Sequence, residues 1–227
     1  MNRGKSIEAL ITKSRKSFEA LKADYQASLD QKSISEELRI DIKNIFENLR
    51  SCLDYMAHDI FEACIGPKQP SRLYFPIRQS KKEFDQVINK DFPDLQTRRP
   101  DVYNILESIQ PYHDEWLRQF NRLNNNNKHQ DLEEQTRTES KRVTVSSPKG
   151  KGSVSWGPGV TFRKGVSVMR VPIDPSTQMP IPSNQIKTEV VIWVDFHFKE
   201  NGKSVLPFIE KSINTVGNFY KQLRQNV

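Results

Sequence analysis

Residues 36–60, EELRIDIKNIFENLRSCLDYMAHDI, decide the fold of this chain. Ser33 and Glu36 form a Ser-x-x-Glu pair that favours a helix start near Ser33, and Gly66 with Pro67 ends the pattern. Between these limits the apolar residues recur at three and four positions, the repeat of one helix face. They are Leu38, Ile42, Ile45, Leu49, Leu53, Met56 and Ile60. The stretch therefore predicts a long amphipathic helix.

A second apolar stripe lies upstream of this helix. Its members recur at spacings of three, four and seven, which predicts another helix of about 25 residues. They are Ile7, Ile11, Phe18, Leu21 and Tyr25. Two long helices joined by a short link form an antiparallel hairpin.

Helical spacing also occurs in four stretches after the hairpin. It predicts helices around residues 81–89, 102–109, 113–123 and 205–223. The segment LYFPI, residues 73–77, is expected to be extended at Phe75, because Pro76 disfavours the helical region for the residue before it.

The four asparagines Asn124–Asn127 are predicted to end the helix around residues 113–123. Asparagine is a poor helix former and tolerates left-handed conformations. Asn127 and Gln130 are then predicted to cap a further short helix that runs through Gln135.

After Lys141 the pattern changes to the alternation of β-strands, punctuated by glycine and proline. Strands are predicted at Val154/Trp156, Val160/Phe162, Val166/Val168 and residues 190–198, with residues 172–182 as a loop. The predicted fold class is α+β and mostly α: an antiparallel helical bundle with a small antiparallel β-sheet inserted before the C-terminal helix. Within a single domain, 1–227, the bundle spans 1–136, the sheet insertion 137–200 and the C-terminal helix 201–227.

The composition predicts a cytoplasmic protein. No apolar run resembles a signal peptide or a membrane span of about 18 residues. Cys52 and Cys64 lie twelve positions apart on one predicted helix, about 18 Å, so they cannot form a disulfide. Phosphate-binding loops, dinucleotide-binding glycine patterns and His-Glu-x-x-His pairs do not occur in the sequence, so we expect no cofactor, no nucleotide and no metal.

The net charge of +7 is localised. Between Thr136 and Val171, eight basic residues face one acidic residue, which accounts for the whole excess. Lys141, Arg142, Arg163 and Lys164 belong to this segment, together with Trp156 and Phe162. Cations and rings in one segment suit nucleic acid, since phosphates meet the charges and bases stack on the rings. Alternatively, the rings point into a core while the charges face water.

The run RLNNNNKH, residues 122–129, is the most concentrated polar element. Metal-free RNA cleavage needs a group that moves a proton and a fixed cation that offsets charge on the phosphorus. His129 suits the first task, and Arg122 the second. Asn127 and Lys128 are candidate RNA contacts. The alternative is a helix end with a solvent-facing basic pair.

Four stretches resemble a family of bacterial proteins with a Leu-Asn-x3-Lys-His motif. They are LRSCLDYMAHDIF (49–61), YFPI (74–77), SIQPY (108–112) and LNNNNKHQDL (123–132). More distantly, the same features resemble the HEPN superfamily of helical bundles, many of which are metal-independent ribonucleases of toxin and phage-defence systems. Their hallmark is an arginine, four to six residues and a histidine, which Arg122 and His129 match. A polar residue usually follows that arginine, whereas here it is Leu123.

The resemblance implies an RNA substrate and a homodimer that brings two such motifs together. Arg50, Asp54 and His58 form an i, i+4 ladder on the 36–60 helix. In the functional interpretation, Asp54 or His58 orients His129 or completes the acid and base pair, and Arg50 contacts RNA. Alternatively, the ladder is a surface ion-pair array.

The leading hypothesis is a HEPN-like ribonuclease or RNA-binding effector with Arg122, His129, Asp54 and His58 as catalytic candidates. One competing hypothesis is a non-catalytic helical interaction module. Another is nucleic-acid binding through the basic sheet.

Overall fold

A computed structural model describes residues 2–31, 35–129, 135–148, 152–157, 159–199 and 201–227, with the backbone alone for 26–31, 126–129, 135–141 and 189–196. These residues form a bundle of α1 (Gly4–Gln31), α2 (Glu36–Cys64), α3 (Lys81–Asp91), α4 (Leu95–Arg98), α5 (Pro100–Ser108), α6 (Trp116–His129) and α7 (Val205–Asn226). The strands precede α7 and are β1 (Gln135–Ser146), β2 (Ser153–Trp156), β3 (Ser167–Val168), β4 (Val171–Asp174), β5 (Met179–Pro180) and β6 (Lys187–Phe198). The predicted fold class, α+β and mostly α, is confirmed.

Helices α1 and α2 form the predicted antiparallel hairpin. The backbone N–H of Arg3, before α1, donates to the Asp59 carboxylate near the end of α2 at 3.1 and 3.2 Å. The predicted cap of α2 was two residues off. Ser35 caps the helix by accepting from Leu38 N–H at 3.2 Å, and Ser33 lies outside the described residues.

The centre of the bundle is the fully buried ring of Phe46 on α2. Its centroid lies 5.7 Å from Phe120 of α6, 6.0 Å from Phe198 and 6.1 Å from Phe208 of α7. At the other end of α7, the Tyr220 hydroxyl donates to the Gly4 carbonyl at 3.4 Å. The C-terminal helix therefore closes the bundle, as predicted.

The asparagine run does not end its helix, since α6 continues through His129. Asn124 lies one turn after the buried Phe120 and is itself buried, so packing outweighs the low helix propensity of asparagine. Of the predicted short helix, residues 130–134 lie outside the described residues, and Gln135 begins β1.

Two predictions for the β region were wrong. Residues 172–182 contain three of the four residues of β4 and all of β5, and the Pro172 carbonyl accepts from Ile181 N–H at 2.9 Å. The pair Val160/Phe162 lies in no strand. The side-chain amide of Gln178 bonds both backbone groups of Phe162, at 2.7 and 3.2 Å, in place of a neighbouring strand.

The chain divides into two compact units, residues 1–136 with 197–227, and residues 137–196. Two three-stranded sheets, of order β2-β1-β6 and β3-β4-β5, have all but four of their residues in the second unit, and their registered pairs are antiparallel. The second unit has its own core of Val143, Val145, Trp156, Val168, Val171, Ile173 and Ile186. None of the helices in the described part of the chain has the length and apolar content that crossing a membrane requires.

We predict that Arg3→Met lowers the free energy of unfolding by about 3 kcal/mol, because it leaves the fully buried Asp59 carboxylate without its guanidinium partner at 3.1 Å. Urea denaturation measures the change. Arg224→Ala, which removes an exposed pair with Glu8, is the control and changes it by less than about 1 kcal/mol. Equal effects of the two variants would contradict the prediction.

Arg3 also forms an ion pair with Glu62, at 2.9 Å, and this pair predicts that the stability of the fold depends on pH. The hydrogen bond from Arg3 holds the pKa of Glu62 below its ordinary value. The stabilisation from this pair is therefore present above the pKa of Glu62 in the unfolded chain, and it is lost as the pH falls through the folded pKa. The stability difference between wild type and Arg3→Met should narrow over that acidic range.

Candidate functional site

A polar cleft of about 550 Å³ lies in the bundle between α2, α3, α6 and the segment 72–78. Three arginines and two aspartates line it, so its walls carry one net positive charge. They are Arg50, Arg72, Arg78, Asp54 and Asp91. Helix α6 contributes asparagines to the same wall at spacings of three and four, which places them on one helix face. They are Asn121, Asn124 and Asn125.

Two of the predicted site residues meet in this cleft. The guanidinium of Arg50 lies 3.0 Å from the Asp54 carboxylate, and both side chains are largely buried, at 13% and 23% exposure. Arg50 also donates to Asn121 Oδ1 at 3.4 Å, and Asp54 accepts from Phe75 N–H at 2.9 Å. Asp54 therefore joins α2 to the segment 72–78 and orients Arg50.

Segment 72–78 is held from its other side by Gln110, which is fully buried. Gln110 donates to the carbonyls of Pro76 and Leu106 at 2.9 and 3.0 Å, and it accepts from Arg78 N–H at 3.0 Å. Hydrogen bonds at Phe75 and Arg78 therefore fix the backbone of this segment beside the cleft. The segment places Arg72 and Arg78 on the wall and leaves the ring of Tyr74 at 61% exposure.

Asn124 differs from every other residue of the cleft. It is only 1% exposed, yet neither its Oδ1 nor its Nδ2 has a hydrogen-bond partner among the residues that the structure describes. An unsatisfied buried amide costs about 1–3 kcal/mol. Asn124 also lines the cleft, so this unsatisfied amide belongs to the wall of the site.

His58 does not join this arrangement. Its Nδ1 lies 2.5 Å from Gln69 Oε1, and Gln69 in turn donates to Glu62 at 2.6 Å. His58 thus belongs to the polar network around Glu62 and is absent from the cleft lining. Within the predicted ladder, Arg50 and Asp54 form an ion pair, because Asp54 bonds Arg50 and Phe75. His58, the third member, bonds Gln69 instead of Asp54.

Arg122 is exposed on α6, and His129 is the last residue of that helix. Seven positions along one helix are almost two turns, so the two backbone sites lie on the same side, about 10 Å apart. That side is about a quarter turn from the asparagines of the cleft. The side chains of Asn127, Lys128 and His129 lie outside the described residues.

The basic candidates of the sheet belong to the second unit. Arg142, Arg163 and Lys164 are exposed, and the side chain of Lys141 lies outside the described residues. The rings that accompany them point inward. Trp156 is 8% exposed and packs edge to face on Phe162, with centroids 5.1 Å apart. These rings therefore form part of a core, and the charges alone face solvent.

Sequence reasoning missed Arg72, Arg78, Tyr74 and Asn121. It included Asn124 and Asn125 in the candidate run 122–129 but assigned them no role. One signal was available: Asn124 occupies a position seven after Leu117 and four after Phe120, both fully buried. An asparagine in an apolar helical stripe indicates a buried amide. The arginines carried no such signal, because their placement depends on hydrogen bonds of their segment with Asp54 and Gln110, which are distant in sequence.

Among the described residues, no group of three or more histidine, cysteine, aspartate or glutamate side chains could hold a metal ion. Comparisons with protein-family models, curated proteins and solved structures found no match to this chain. The chemistry of the cleft therefore carries the functional argument.

Two buried amides provide a test of the cleft. Asn124→Leu should raise the free energy of unfolding by about 1 kcal/mol, because it removes an unsatisfied polar group. The matched variant Gln110→Leu should lower it by about 3 kcal/mol, because three hydrogen bonds are lost. Urea denaturation of both variants measures these changes in the free energy of unfolding. A clear loss of stability in Asn124→Leu would mean that its amide supports the fold.

Proposed function

We propose that this protein is an RNA-binding effector that holds single-stranded RNA in the cleft between α2, α6 and the segment 72–78. The observation that carries the proposal is the unsatisfied, buried amide of Asn124 beside three arginines. An amide and guanidinium groups together suit a ligand that has both polar edges and negative charge, which is the chemistry of a nucleotide chain.

Each part of the cleft has a task in this proposal. Arg72 and Arg78 contact phosphate oxygens, for which the planar guanidinium is well matched. The exposed ring of Tyr74 provides a face on which a base stacks. Arg50 is oriented by Asp54 and shapes the wall. Unpaired bases fit this arrangement, since proteins read RNA sequence mainly on single strands whose base edges are free.

Cleavage of the bound RNA is a second candidate function. It is favoured by the continuity of α6, which puts the positions of Arg122 and His129 on one side of the helix, next to the cleft face. In this proposal His129 moves a proton at the 2′-hydroxyl or the leaving oxygen, and Arg122 offsets the phosphoryl charge. The resemblance to HEPN domains adds a homodimer in which two such pairs meet.

Binding is tested by Arg72→Ala. We expect the affinity for a ten-nucleotide single-stranded RNA to fall about tenfold, because a phosphate contact of about 1.4 kcal/mol is lost. The slope of log K against log salt should become shallower by about 0.7, as expected for one phosphate. Arg98→Ala removes an exposed arginine of α4 that is absent from the cleft, and it serves as the control. Indistinguishable titrations of the two variants would count against the cleft as the binding site.

Cleavage is tested by His129→Ala. The wild-type protein should cut single-stranded RNA in the presence of a metal chelator, and the variant should lose at least about 100-fold in rate, the usual contribution of a general acid or base. His113→Ala, which changes a half-exposed histidine outside the cleft lining, is the control. Unchanged cleavage in His129→Ala would exclude the mechanism. Binding without cleavage in the wild type would leave only the binding function.

A further inference from the structure

We infer that the cleft selects adenine, and that Asn124 is the residue that reads it. This inference rests on the proposed RNA binding and adds the identity of the base. Asn124 becomes a specificity-determining residue, whereas the arginines around it bind any RNA sequence.

The two amide atoms of Asn124, unpaired within the described part of the chain, suit a ligand with two polar groups. On α6, Asn124 follows the buried residues Leu117 and Phe120 at seven and four positions, so it lies on the buried side of the helix, where it lines the cleft. Both amide atoms are buried there, and both lack partners among the described residues. A ligand that satisfied only one of them would leave the other group unpaired and costly.

Adenine offers the complementary edge. Its N6 amino group donates and its neighbouring N7 accepts, so an asparagine amide forms two hydrogen bonds with it in one plane. Guanine is recognised instead by a free arginine or lysine fork at O6 and N7. Arg50 bonds one of the cleft asparagines, Asn121, and its guanidinium is also paired with Asp54. On the base edge that carries N7, which is the edge presented to Asn124 in this inference, guanine offers two acceptors and the pyrimidines offer no adjacent donor and acceptor, so adenine alone satisfies both amide atoms.

The remaining geometry agrees with a purine. The cleft of about 550 Å³ has room for a nucleotide, and Tyr74 supplies an exposed ring face to a flat base. Arg72 and Arg78 flank the same segment and can hold the phosphates on either side of the base. Base reading and phosphate binding are thus carried by different elements, α6 and the segment 72–78.

The experiment uses the full chain and ten-nucleotide RNAs of uridine in which one central position is adenosine, guanosine, cytidine or uridine. Fluorescence polarisation should show the adenosine RNA binding about tenfold more tightly than the other three, within the range for one bidentate base contact. Asn124→Leu should bind all four RNAs alike, at the affinity of the wild type for uridine. Asn214→Ala, which alters an exposed asparagine of α7 that is absent from the cleft lining, should keep the preference for adenosine.

A second measurement needs no variant. With wild-type protein, replacing the central adenosine by purine riboside removes the N6 donor, and replacing it by 7-deazaadenosine removes the N7 acceptor. Each should abolish most of the preference. Three results would overturn the inference without contradicting RNA binding. They are equal binding of all four bases, a preference for another base, and a preference for adenosine that persists in folded Asn124→Leu. Failure of every RNA to bind would contradict the proposed function itself.

Discussion

The burial of one face of α2 is the constraint on which the rest of the structure depends. Leu49 and Leu53 are fully buried on that face, and each contributes about 2 kcal/mol by leaving water. Rotating the helix about its axis would expose them, so its orientation is fixed. Arg50 and Asp54 each follow one of these leucines in sequence, and they are therefore directed to the side of the helix that borders the cleft. The hydrophobic core thereby sets the direction of the polar site.

Sequence reasoning was accurate where hydrophobic periodicity is strong and weak where two physical effects oppose each other. The helical stripes predicted α1, α2 and α7, because a long helix needs one continuous apolar face. The asparagine run led to the wrong prediction that α6 ends near Leu123. Each asparagine costs about 0.6 kcal/mol in a helix relative to alanine, and this local preference was taken as decisive. Phe120 packs on Phe46 of α2 and Trp116 donates to Ser212 of α7, and these contacts hold α6 in the core and outweigh that preference.

The site was partly predictable for a related reason. Arg50 and Asp54 lie four apart, so a helix alone brings them together, and the ion pair was foreseeable. His58 was predicted from the same spacing, but Gln69 from the following segment bonds it instead. Arg72 and Arg78 reach the cleft only because Asp54 and Gln110 bond the backbone of their segment, across 21 and 32 residues of sequence. No local pattern encodes such long-range hydrogen bonds.

Gln110 and Asn124 show how the same chemical group serves two purposes in one site. Gln110 has partners for its donor and its acceptor, so its amide stabilises the fold and fixes the segment beside the cleft. Asn124 is equally buried, but neither of its amide atoms has a partner among the described residues, so its amide weakens the folded state. A ligand that satisfied both atoms would recover that cost on binding, which favours a partner with an adjacent donor and acceptor over a simple anion. In the proposed function, the support from Gln110 favours such selectivity, because its hydrogen bonds hold the backbone of the segment that bears Arg72 and Arg78.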